Sequence, residues 1–122
     1  MKKFVRYIKH EDAVIIEVLV EKFDLFDTPK ISREVEIILK RMDYPNSIID
    51  LRKVNYVDSI GIGFLISTKN IFCNHNCEMV ILCNNELVSR GFKAASMHRF
   101  FKIFFSLDES VKYVKSMSVP KK

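Results

Sequence analysis

The sequence predicts a small single α/β domain: a mixed β-sheet opening with an N-terminal hairpin, with about four helices packed against it. Three observations support the α/β class. Two β-rich runs stand side by side at the start, a strongly amphipathic stretch follows, and the second half alternates short apolar runs with helical periodicity. The 122 residues are one domain's worth, and the 48% apolar composition supplies a core. A chain of this length removes about two-thirds of its unfolded surface from water. No linker or repeat interrupts residues 1–118, which read as one unit, and residues 119–122 (Val-Pro-Lys-Lys) read as a short basic tail.

Phe4 to Ile8 and Ala13 to Val20 are the two β-rich runs, and His10-Glu11-Asp12 between them suits a tight turn. In the second run Val14, Ile16, Val18 and Val20 face one way, while Ile15, Glu17, Leu19 and Glu21 face the other. A helix follows, with Thr28 as cap and Pro29 at the first helical position, where its missing N–H costs nothing. Ile31, Val35, Ile38, Leu39 and Met42 give it one buried stripe, and Pro45 ends it by pushing Tyr44 out of the helical region. Ser47 to Leu51 and Glu78 to Cys83 read as buried strands. Between them Phe64, Leu65, Thr68, Ile71 and Phe72 recur at helical spacing from Ser59 to about Cys73, which predicts a parallel βαβ unit. Asn85 caps a shorter helix that Gly91 weakens, and Phe101 to Phe105 reads as a last strand. Ser106-Leu107-Asp108-Glu109 is a capping box for a final helix with Leu107, Val111 and Val114 on its apolar stripe.

Twenty Lys and Arg against fifteen Asp and Glu give a mildly basic chain of net charge +5. The longest charge-free apolar run, Ile60 to Ile66, is far too short to span a bilayer, and Met1-Lys2-Lys3 is followed by charges rather than an apolar signal core. Three cysteines, an odd number, argue for a reducing compartment rather than a disulfide scaffold, so a cytoplasmic protein without membrane insertion is expected.

Chemistry concentrates where the strand Ile48-Ile49-Asp50-Leu51 runs through a polar turn into a helix at Asp58-Ser59, with Gly61 and Gly63 in its first turns. Glycine in a helix interior costs up to about 1 kcal/mol against alanine, so something is expected to approach this backbone closely. A helix N-terminus offers free N–H groups and the positive end of the dipole, so a phosphate on Ser59 is electrostatically tolerated there. Ser59 acting only as an N-cap is the plain structural alternative.

Asp58-Ser59-Ile60-Gly61-Ile62-Gly63 after the Ile49-Asp50-Leu51 strand resembles the D-S-[ST]-G-L-G signature of STAS domains, the anti-sigma factor antagonists and their relatives. The element order of nearly the whole chain is the one that family shows. The resemblance implies a non-enzymatic binding module with no cofactor. It implies that Ser59 is phosphorylated by an anti-sigma factor with serine kinase activity, that the unphosphorylated form sequesters this partner and frees a sigma factor, and that a phosphatase restores binding. It further implies a partner-binding surface of Asp24, Asp58, Ser59, Ile60, Gly61 and Ile62, with Asp24 as the acidic residue of the family's G-E-L-D segment. Two positions depart from the pattern. Ile60 replaces the second hydroxyl residue, and Glu21 stands where a glycine is expected. A subunit of a membrane transport complex is the alternative role within the family.

Other constellations are weaker. Cys73, His75 and Cys77 lack a fourth ligand at zinc-site spacing, so free thiols and no metal are expected. Gly61-Ile62-Gly63 is not a dinucleotide fingerprint because position 66 is Ile, and His10, His75 and His98 form no catalytic set. Lys93, His98, Arg99 and Lys102, interleaved with Phe92, Phe100, Phe101, Phe104 and Phe105, resemble a nucleic-acid surface. The phenylalanines read better as core, and no nucleic-acid partner is expected.

Overall fold

The computed structural model describes residues 2–11 and 13–117, so Asp12 of the expected turn and the expected tail at 119–122 lie outside the described residues. The chain runs β1 (Val5–His10), β2 (Ala13–Val18), β3 (Lys22–Phe23), α1 (Thr28–Arg41), β4 (Ser47–Asp50), β5 (Tyr56–Val57), α2 (Ser59–Asn74), β6 (Met79–Leu82), α3 (Glu86–Ala94), a 3₁₀ turn at Met97–Arg99, β7 (Ile103–Phe104) and α4 (Leu107–Met117). Five strands form the main sheet in the order β1-β2-β4-β6-β7. The β1–β2 pair is antiparallel and every later pairing is parallel, as expected from the hairpin and the βαβ pattern. The hairpin turns with His10 opposite Ala13, and Glu11 takes a left-handed φ of 54°.

Strand alternation divides the core in two. Val14, Ile16, Val18 and Val20 join Ile49, Leu51, Met79 and Ile81 under α1, α2 and α3, together with Ile31, Val35, Leu39, Leu65, Phe72, Val88 and Phe92. Ile15, Ile48, Val80 and Leu82 point the other way, onto Val111 and Val114 of α4. Both faces of the sheet are therefore covered, which is why β2, β4 and β6 are buried at every position. On the same side of β2 as Ile15, Glu17 brings in a charge and is itself buried. Burial pushes the Glu17 pKa up, but hydrogen bonds from Arg6 and Lys53 outweigh that and hold it below the usual carboxylate range. Asp50 beside it is buried and clasped by Arg52 at 2.8 and 3.0 Å.

Several local expectations change. Asp27, not Thr28, is the N-cap of α1, and Thr28 instead donates its hydroxyl to the carbonyl of Asp24 at 2.6 Å. Asp43 and Tyr44 both adopt left-handed φ values, 55° and 51°, which closes α1 before Pro45. The strand expected at 101–105 shortens to Ile103–Phe104. Phe92 and Phe101 are core residues, but Phe100 and Phe105 are exposed rather than buried. A two-residue parallel ladder, β3 with β5, is new. The capping box at Ser106 is half formed, its hydroxyl accepting from the Glu109 N–H at 3.3 Å.

Candidate functional site

The small β3–β5 ladder builds the floor of the site. The Phe23 carbonyl accepts from the Asp58 N–H at 3.2 Å, and the Glu21 carbonyl accepts from the N–H groups of Asn55 and Tyr56. These bonds carry the chain from the main sheet to the start of α2. Glu21 is not among the residues with left-handed backbone, so this turn does not require the glycine that the family pattern places there.

Asp58, rather than Ser59, caps α2. One carboxylate oxygen accepts from the Gly61 N–H at 3.0 Å, and the other accepts from the Leu25 N–H at 2.8 Å. The cap thus fastens the loop before α1 onto the helix start. Asp24 shapes the same loop from inside: its carboxylate accepts from Phe26 N–H at 3.0 Å and Asp27 N–H at 3.1 Å. The two acidic residues named from sequence are brought together by backbone bonds across one short loop, and both carboxylates are engaged.

With the cap assigned to Asp58, Ser59 is the first residue of α2 and is exposed, as is Ile60, while Ile62 is half-buried. The glycines differ. A Cβ on Gly61 would lie 2.7 Å from the Phe23 carbonyl oxygen and 2.8 Å from its ring, whereas one on Gly63 would meet nothing within 4 Å. The close approach expected at this helix is therefore internal, at Gly61 only, and it locks α2 onto β3.

The loop that Asp58 holds at Leu25 carries exposed apolar side chains that the sequence did not reveal. Leu25 and Phe26 are 55% and 73% exposed, and Tyr56 and Leu87 stand out in the same way. A groove of about 340 Å³ lined by Tyr56, Ile62, Leu87, Gly91 and Phe92 lies between β5, α2 and α3. The one local signal was Leu25-Phe26 beside Asp24, two large apolar residues in a turn. Cys73, Cys77 and Cys83 form no disulfide, and the described residues contain no group of three or more metal-ligating side chains. No helix among them is long and apolar enough to cross a membrane.

Residues 6–110 match the STAS domain family. Among solved structures, an anti-sigma factor antagonist from Mycobacterium paratuberculosis superposes with a TM-score of 0.81 at 17% identity, over 91% of this chain and 92% of that one. The anti-sigma factor antagonist SpoIIAA in its unphosphorylated form gives 0.68 at 12% identity, over 91% and 97%. The Bacillus cell fate determinant SpoIIAA in its phosphorylated form gives 0.65 at 13% identity, over 90% and 98%. At these identities the likeness is one of fold.

Proposed function

The chain belongs to the STAS domain family, and from that premise we propose that it is an anti-sigma factor antagonist, a non-enzymatic binding module switched by phosphorylation of Ser59. The observation that carries the proposal is the position of that hydroxyl: first residue of α2, exposed, released from capping by Asp58 and followed by the exposed apolar Ile60. Phosphorylation adds a charge of about −1.5 to −2. The helix N-terminus tolerates such a charge, so the fold survives. A docked complex does not, because a partner seated on Leu25, Phe26 and Ile60 would have to desolvate the phosphate. The two forms of SpoIIAA, a protein of the same fold, lend support. In this scheme the partner is an anti-sigma factor with serine kinase activity, a phosphatase resets the switch, and Asp24, Asp58, Ser59, Ile60, Gly61 and Ile62 form or hold the docking face.

The test compares wild type, Ser59→Ala and Ser59→Asp as baits for an ATP-binding kinase partner, with unfolding curves for all three. All should unfold alike. Wild type and Ser59→Ala should capture the kinase, only wild type should gain one phosphate by mass spectrometry, and Ser59→Asp should bind weaker by about 3 kcal/mol, roughly 150-fold. Loss of binding in Ser59→Ala with the fold intact would make the hydroxyl a contact and overturn the switch.

A further inference from the structure

The segment that resembled a nucleic-acid surface has a different use in the folded chain. β7 is an edge of the five-stranded sheet. The carbonyls of Lys102 and Phe104 accept from Ile81 of β6 and from Cys83 just after it, at 3.0 and 2.9 Å. Since backbone groups alternate sides along a strand, those of Ile103 turn to the open edge. The opposite edge, β1, is guarded: Glu34 accepts from the N–H groups of Phe4 and Val5, and Arg6 and Lys9 charge the strand. Ile103, Phe104 and Phe105 carry no such charge, and Phe105 is 67% exposed.

Beside that open edge lies a cavity of about 440 Å³, walled by Ser89, Arg90, Lys93, His98, Ile103 and Phe105. Its apolar floor is the right size for an aliphatic or aromatic side chain. Its rim carries the cations Arg90 and Lys93, with His98 beside them, against the single carboxylate Glu86. Glu86 pairs with Arg90 at 2.9 Å, so the excess positive charge of the rim sits at Lys93.

We propose that the β7 edge and this cavity form a second docking site, for an extended acidic segment of a partner protein that adds a strand to β7 and places an apolar side chain against Phe105 and Ile103. Backbone pairing supplies the attraction and alternate side chains the specificity, while acidic residues between the apolar ones meet Arg90 and Lys93. A second copy of this chain is a poor occupant, since it would set two basic rims together. A single-stranded nucleic acid would answer the charge and stack on Phe105 but would leave the open backbone groups unused. The site is separate from Ser59 and does not rest on the antagonist role.

The test is a titration of the ¹⁵N-labelled protein with the blocked hexapeptide Glu-Leu-Glu-Leu-Glu-Leu, followed by amide shifts. Saturable shifts at Ile103, Phe105 and residues 86–93 are expected, equally in wild type and Ser59→Asp. Arg90→Glu combined with Lys93→Glu, both at exposed positions, should weaken binding at least about tenfold, and a peptide with Lys for Glu should not bind. No binding, equal binding of the reversed-charge peptide, or shifts confined to residues 58–62 would overturn the proposal. So would preferential binding of an oligothymidylate at these residues, or concentration-dependent dimerisation that Ile103→Lys abolishes.

Discussion

Asp58 joins two segments 33 residues apart, holding Gly61 and Leu25 with one oxygen each. A carboxylate that satisfies two backbone N–H groups is worth more than an ordinary cap. Asp58→Ala should lower stability by about 2 kcal/mol in urea unfolding, while Asp58→Asn, which keeps one acceptor oxygen, should lose roughly half as much. The pairing of Asp58 with Ser59 was legible in the sequence, but the division of labour was not. Both residue types are favoured caps, and what decides between them is the bond to Leu25, which no local pattern contains. The same holds for Thr28 and Asp27, where the Asp24 carbonyl takes the hydroxyl that would otherwise cap.

At the scale of elements, α1, β4, α2, β6 and α4 could be read from periodicity because each buries one face or one run against a large core. β3 and β5 could not. A two-residue ladder has no period, and it exists only because Lys22 and Tyr56 are brought together by the rest of the fold. β7 failed in the opposite sense: its phenylalanine-rich surroundings have the composition of a strand, yet only two residues find a register with β6. The glycines of α2 turn this into a paired prediction. Gly61→Ala should destabilise by about 2 to 3 kcal/mol, because the Phe23 backbone cannot yield as a flexible side chain would. Gly63→Ala should stabilise by about 0.5 to 1 kcal/mol, since it adds helix propensity in open space. Thermal unfolding of the two variants side by side distinguishes them by sign.

Across the whole molecule the two faces of the sheet are unequal. Three helices share one face, and among the described residues α4 alone covers the other. Residues 47–51 and 78–83 read as buried strands in the sequence, but that helices cover both faces, and how thin the second cover is, emerges only in the fold. Val114 lies at the centre of that cover and is fully buried. Val114→Ala should cost about 2 kcal/mol, and the loss should appear both in urea unfolding and as earlier hydrogen exchange throughout α4. The strand order β1-β2-β4-β6-β7 rises without a break along the sequence. On the ribosome, each new strand therefore meets a partner that has already left the exit tunnel, and none has to be wedged between two that are already paired. The sheet grows in one direction as it is translated, and its final addition is the uncharged edge at β7.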